Sequence, residues 1–219
     1  MSINFKRETL QQIGRRYKTD KGSHNFKGTT YLHIYDIFFR WFRDVEMSIL
    51  ELGIKKGASL RVWRDYFRKG QVYGLDINPA CKKWGDSEKN IHTIIGHQDD
   101  KKLLDNLATK TKGFDIILDD CSHINTLTIK SFEILWPHVK KGGLYVIEDL
   151  RNSYTKNLKA DMIKGGWLSP LQKKSTVLEN HRRDFTELFS ELIKQLDYRT
   201  GDKAAIHFYP MICIMEKIK

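Results

Sequence analysis

From Ile49 onward the chain repeats one pattern: a short apolar run, an acid or glycine at its end, then a stretch of helical periodicity. Runs of strand length lie at 48–52 (SILEL), 71–75 (QVYGL), 91–95, 114–118 (FDIIL) and 144–147 (LYVI). Helical spacing occupies 58–67, with Leu60, Val62, Trp63 and Phe67 on one side, and 101–110, with Leu103, Leu104 and Leu107 inward. A third helix is expected over 126–139, stopped by Gly142-Gly143. Short apolar strands alternating with helices indicate a parallel sheet covered on both faces. The tail breaks the pattern. Runs at 204–209 and 211–216 are separated by Pro210 alone, too close for a crossover helix, so they are expected to pair antiparallel. The spacing therefore predicts a doubly wound, Rossmann-like α/β fold with a mostly parallel seven-stranded sheet and an antiparallel C-terminal hairpin.

A length of 219 residues suits one domain. Within it, 1–44 reads as a helical N-terminal extension and 45–150 as the ligand-binding core. Residues 151–200 are too long for a simple connection and suit a lid or acceptor-binding insertion, with a helix over 177–196; 201–219 carry the hairpin. An aromatic-rich stretch from Tyr31 to Phe42 is expected to pack on the sheet.

The formal charge of +11 could serve a polyanion, but the lysines fall in scattered pairs such as Lys55-Lys56 and Lys140-Lys141. No arginine-rich arm or aromatic-interleaved basic stripe is present, so nucleic acid is not indicated. Cys81, Cys121 and Cys213 have neither disulfide-framework nor zinc spacing and read as reduced thiols. With no membrane span and no secretory signal, the expected location is cytoplasmic.

Ligands of open α/β sheets bind beyond the carboxyl ends of the strands. The first run enters Glu51-Leu52-Gly53-Ile54-Lys55-Lys56-Gly57, a turn without the G-x-G-x-x-G of dinucleotide folds. Asp76 closes the second run. Alone it reads equally well as a turn aspartate or a ribose ligand, and beside the Gly53 loop the ribose reading is the better one. The densest chemistry is Asp119-Asp120-Cys121-Ser122-His123 after the fourth run and Glu148-Asp149 after the fifth. On neighbouring strands those ends lie ~5 Å apart, and such crowding of carboxylates calls for a hard divalent cation. Glu148 and Asp149 can share that ion only if the chain turns between them. His123 is suited to general-base work, the alternative being a surface histidine capping the next helix.

At these motifs the chain resembles bacterial O-methyltransferases acting on macrolide deoxysugars, a metal-dependent branch of the class I S-adenosylmethionine-dependent methyltransferases. The resemblance runs through Tyr17-Lys18-Thr19-Asp20-Lys21-Gly22, Tyr31 with Tyr35, ILELGIKKGASLRVWRDYF (49–67), VYGLDI (72–77), GHQDD (96–100), FDIILDDCSHIN (114–125), FEILWPHVKKGGLYVIEDL (132–150) and IHFY (206–209). Cys121 replaces the usual glycine and His97 the usual aspartate. The resemblance implies S-adenosyl-L-methionine as cofactor, held by Glu51, Gly53, Asp76 and Ile77, with Gln98 and Asp99 near the adenine and Asp119 near the methionine part. Thr19, Asp20 and Lys21 would cover it. Asp120, Glu148 and Asp149 match magnesium ligands, and His123, with Asp120, matches the catalytic pair.

The expected activity is therefore Mg2+-assisted methyl transfer to a hydroxyl of a sugar or glycan-linked small molecule. Alternatives are another small anionic acceptor, for example a phosphate-type modification of a surface glycan, and a metal-dependent oxygenase. A saccharide or small-molecule acceptor is the expected partner, and homo-oligomerisation is left open.

Overall fold

The computed structural model describes residues 7–22, 30–86, 88–155 and 180–218. In chain order the elements are α1 (Leu10–Tyr17), α2 (Tyr31–Phe39), β1 (Met47–Leu52), α3 (Ala58–Tyr66), β2 (Gly70–Asp76), α4 (Lys83–Asp86) and β3 (Ile91–Ile95). They continue with α5 (Lys101–Thr111), β4 (Phe114–Asp119), α6 (Asn125–Leu135), β5 (Val139–Ile147), α7 (Arg182–Asp197), β6 (Lys203–Tyr209) and β7 (Ile212–Lys217).

One seven-stranded sheet has the order β3-β2-β1-β4-β5-β7-β6. The first five strands pair in parallel, and β7 runs antiparallel to both β5 and β6. This is the expected Rossmann-like sheet with its reversed terminal strand. Sequence order changes direction between β1 and β4, the place where such sheets open a crevice for ligand.

Two cores follow from the period-2 alternation of the strands. Ile49, Val72, Ile116, Leu118 and Val146 face α1, α2 and α3, while Leu50, Leu75, Ile117, Tyr145 and Ile147 face α5, α6 and α7. The N-terminal aromatics pack as expected: Tyr35 stacks on Phe39 at 4.8 Å, and both meet Trp63 edge-on. Local signals start the helices. Thr9 and Gln12 form a capping box on α1, and Asp100 accepts from the Leu103 amide at 3.0 Å on α5.

Three boundaries differ from the sequence expectation. The helix begun near Thr126 ends at Leu135, because Pro137 cannot continue it and Trp136–His138 tighten into a 3-10 turn. Gly142-Gly143 lies inside β5, where the register jumps from Phe114↔Val139 to Ile116↔Leu144; the glycines shape a bulge and not a helix stop. The helix expected from residue 177 begins at Arg182: His181 is in extended backbone with its carbonyl accepting from Asn125 Nδ2, and the Asn180 side chain accepts from the Asn125 amide. Residues 156–179, which include the start of that expected helix and much of the expected insertion, fall outside the described residues. Among the described residues no helix is long and apolar enough to cross a membrane.

Candidate active site

The backbone ladder continues one residue beyond the strands and draws three acidic tips together. The Asp120 amide donates to the Leu52 carbonyl at 3.0 Å, and the Glu148 amide to the Asp119 carbonyl at 3.0 Å. Strand alternation then sorts the side chains. Glu51, Asp120 and Glu148 follow Ile49, Leu118 and Val146 toward the α1–α3 face, while Asp119 follows Ile117 toward α6.

On the first face the acids meet the N-terminal segment. Lys21, in the short 3-10 turn Asp20–Gly22, places its Nζ 2.6 Å from Asp120 Oδ2, 2.8 and 2.9 Å from the Glu148 oxygens and 3.3 Å from Glu51 Oε1. The Tyr35 hydroxyl donates to Glu148 Oε1, and Trp63 Nε1 donates to Glu51 Oε2 at 2.9 Å. Burial works against the Lys21 charge, yet Asp120, Glu148 and Glu51 outweigh it and hold the ammonium well above the ordinary lysine range. Burial, reinforced by the Asp120 charge, pushes the Glu148 carboxyl well up, and burial raises Glu51. The acids outnumber the ammonium, so the cluster still favours a further proton or cation.

Asp149 does turn away from its neighbour. Its backbone is left-handed (φ 56°), which sends the carboxylate to the Tyr31 hydroxyl at 2.6 Å and leaves Oδ2 3.8 Å from His123 Nε2. His123 is also left-handed (φ 56°), and its carbonyl accepts from Asn180 Nδ2 at 2.7 Å. Ligand atoms of Asp120, His123 and Asp149 all lie within 4.8 Å of one another, a spacing that one metal ion could bridge. Glu148, the third residue expected to hold the ion, lies on the adjoining strand end, where its carboxylate meets Lys21 and Tyr35.

The positions expected around the cofactor are only partly brought together. Gly53 sits at φ +94°, and a Cβ there would fall on the Asp120 carbonyl oxygen and 3.1 Å from Cys121 Cα. The glycine is thus needed for close approach of the β1 and β4 loops. Asp76 braces the same turn: Oδ2 accepts from the Ile54 and Lys55 amides at 2.9 and 3.1 Å, and Oδ1 from Asn78 at 2.8 Å. Ile77, next to it, is partly exposed. Lys55 reaches back to Asp20 at 2.9 Å, tying the N-terminal turn to the Gly53 loop. Thr19 is buried there, and its Oγ1 has no hydrogen-bond partner among the described residues.

Gln98 is buried and joins loops: its Oε1 accepts from the Ser122 amide at 3.2 Å and its Nε2 donates to Ser131 Oγ at 3.0 Å. Asp99 pairs with His97 and with Lys130 at 3.1 Å, which hold its carboxyl low against the opposing effect of burial. Asp119 faces Tyr145 at 3.5 Å, and burial pushes its carboxyl up to about 7. Burial, with the Asp119, Asp76 and Asp120 charges, likewise pushes the Cys121 thiol well up, which favours its protonated form.

Sequence reasoning did not assign roles to Tyr31, Tyr35 or Asn180. The two tyrosines are four apart on α2, hence on one helical face, which is the signal that could have found them. Asn180 offered no such pattern.

Residues 50–150 match the family described as a methyltransferase domain. Over 95% of its length the chain is 34% identical to mycinamicin VI 2''-O-methyltransferase of Micromonospora griseorubida and to demethylmacrocin O-methyltransferase of Streptomyces fradiae. These alignments take in 52% and 53% of the two relatives, so the chain spans about half the length of the curated proteins it matches. A solved structure of MycE methyltransferase from the mycinamycin pathway, in complex with Mg, SAH and mycinamycin VI, superposes with a TM-score of 0.75 at 32% identity. That match covers 98% of this chain and 56% of the other.

Proposed function

We propose, on the premise that the chain is a class I methyltransferase resembling the macrolide-sugar O-methyltransferases, that it methylates a hydroxyl of a sugar or glycan-linked acceptor. The methyl donor is S-adenosylmethionine, and Mg2+ or a similar divalent ion assists. The observation that carries this reading is the meeting of Asp120, His123 and Asp149 at two adjacent strand ends.

The donor atoms fit both groups. Asp120 and Asp149 offer the hard oxygens that Mg2+ prefers. One histidine with two carboxylates is the reverse of the two-histidine, one-carboxylate set of non-haem iron oxygenases, which disfavours that alternative. For the cofactor, the Thr19 hydroxyl, without a partner among the described residues, and the Gly53 turn support a polar ligand, and we assign its binding to them together with Asp20, Lys21, Glu51, Asp76, Ile77, Gln98, Asp99 and Asp119. Asp76 Oδ2 is taken up by the Ile54 and Lys55 amides, and Oδ1, which accepts from Asn78, has one further lone-pair site to offer a ribose hydroxyl. Residues 45–150 form the cofactor half, and 151–200 the acceptor side.

Asp120 and Asp149 would hold a divalent ion, whose Lewis acidity would lower the pKa of the acceptor hydroxyl. His123 Nε2 receives the hydroxyl proton, and Asp149 Oδ2, 3.8 Å away, stabilises the imidazolium that results. Tyr31 fixes the other Asp149 oxygen and so the direction of this pair. S-adenosylmethionine, when bound, would supply the methyl group, its carbon–sulfur bond breaking to leave a neutral thioether as the acceptor oxygen forms the new carbon–oxygen bond. Orienting the two reactants at ~3–3.5 Å supplies much of the acceleration.

The test is a thermal-shift comparison of S-adenosylmethionine, NAD and 2-oxoglutarate, followed by methyl transfer to glycosides bearing vicinal hydroxyls. S-adenosylmethionine alone is expected to raise the melting temperature. Asp120→Ala should keep cofactor binding by calorimetry and lose transfer. Full activity in chelator-stripped protein would refute the metal's role.

A further inference from the structure

Two residues of the site hold left-handed backbone although neither is glycine: His123 after β4 and Asp149 after β5, each at φ 56°. An L-residue keeps that conformation only where its surroundings fix it. One buried side chain reaches both turns. Asn180, 2% exposed, lies just ahead of α7. Its Nδ2 donates to the His123 carbonyl at 2.7 Å and to the Asn152 carbonyl at 2.9 Å, while its Oδ1 accepts from the Asn125 amide at 3.0 Å. The Asn152 amide in turn donates to the Asp149 carbonyl at 2.8 Å. One side-chain amide therefore joins the left-handed histidine, the turn that opens at the left-handed aspartate, and the first residue of α6. Both of its protons are used, one on each carbonyl. Aspartate could serve at most one of them.

We propose that Asn180 is a positioning residue for the general base: it locks the His123 backbone against the Asp149 turn. The assignment rests on His123 being the base, as proposed above. With both turns held, His123 Nε2 faces Asp149 Oδ2 at 3.8 Å, and Tyr31 anchors the other Asp149 oxygen. Loss of the Asn180 amide leaves two carbonyls of neighbouring loops without their donor. It also frees the left-handed histidine to relax toward ordinary backbone, which turns the ring away from its partner. Asn180 belongs to the 151–200 segment assigned to the acceptor side. Two further bonds fasten the same stretch to these loops, Arg182 Nη1 to Ser153 Oγ at 3.0 Å and Asn125 Nδ2 to the His181 carbonyl at 2.8 Å. The geometry of the base thus depends on how the acceptor segment is seated.

The experiment records nuclear magnetic resonance spectra of the full chain labelled with 13C and 15N at histidine, the His123 signal being identified by its loss in His123→Gln. The unsubstituted protein is expected to show one His123 backbone signal at the carbon shifts of left-handed backbone. In Asn180→Ala that signal should shift or split, while those of His92, His138 and His207 stay in place. With a glycoside bearing vicinal hydroxyls as acceptor, kcat should fall by about a hundredfold, as expected of a ~1 Å misplacement, with the KM for S-adenosylmethionine unchanged. The control is Trp136→Phe, which removes a bond to Asp202 (2.7 Å) beyond the far end of α6 and should leave the His123 signal and kcat alone. Should Asn180→Ala fail to fold, Asn180→Asp decides, since it keeps the acceptor for the Asn125 amide and loses at least one donation. An unmoved His123 signal in the folded Asn180 variant, or an equal displacement in Trp136→Phe, would overturn the positioning role. Full kcat in His123→Gln, or failure of the unsubstituted protein to bind S-adenosylmethionine, would instead overturn the reading beneath it.

Discussion

Replacing Gly53 with alanine tests how the strand-end loops are assembled. Two separable costs arise. The first is the backbone: at φ +94° an L-residue is strained by about 1–2 kcal/mol. The second is contact, because the new Cβ would fall on the Asp120 carbonyl, with the carbonyl carbon at 2.9 Å. Both atoms are backbone and cannot rotate away, so the β4 loop must shift, at about 1–3 kcal/mol by analogy with overpacked cores. The expected loss is therefore about 3 kcal/mol, or roughly 6–12 °C in Tm for a chain of this size. Gly201 is the control. It too has positive φ (+76°), but its nearest obstacle is the Gln195 side chain, Oε1 at 3.0 Å, which can move. Gly201→Ala should cost only the backbone part, about 1 kcal/mol. Urea denaturation of both variants measures the difference, and Mn2+ titration reads the displacement of Asp120. If the two variants lose equal stability and both keep metal affinity, the close approach of Gly53 to Asp120 is not a structural requirement.

Asn180→Ala should lose about 2–4 kcal/mol. The side chain is buried and serves the His123 and Asn152 carbonyls (2.7 and 2.9 Å) and the Asn125 amide (3.0 Å). Equilibrium denaturation and hydrogen exchange at Asn125 would show this, and a loss near zero would contradict it. Asp119 supplies a pH signature. Its carboxyl, raised by burial to about 7, binds a proton in the folded chain that the unfolded chain has already released. Metal-free stability should therefore fall as pH rises between ~4 and ~7, by at most about 1.4 kcal/mol per pH unit from this group. Asp119→Asn should flatten that profile, and an unaltered slope would assign it elsewhere.

The strand ends were legible because an acid closing an apolar run is a local signal: Asp76, Asp119 and Glu148 sit where their runs end. The turn that separates Glu148 from Asp149 could be stated only as a condition, since a left-handed aspartate leaves no mark in the sequence. The partners of those acids were not legible at all. Lys21 reaches Glu148 across 127 positions, Tyr31 reaches Asp149 across 118, and Asn180 reaches His123 across 57. Such pairings depend on α2 and the Asp20–Gly22 turn docking on the sheet, which periodicity does not encode. The misplaced stop of α6 has a local origin: two glycines outweighed one proline in the reading, yet Pro137 ends the helix and the glycines bulge a strand.

The central claim is that Asp120 and Asp149 hold a divalent ion beside His123. Crystals grown with Mn2+ and measured at the manganese absorption edge address it directly. The account predicts one anomalous peak per chain, in contact with the Asp120 and Asp149 carboxylates and absent from Asp120→Asn crystals. A peak on Glu51 and Glu148 with Lys21 displaced, or none on the rim, would contradict it.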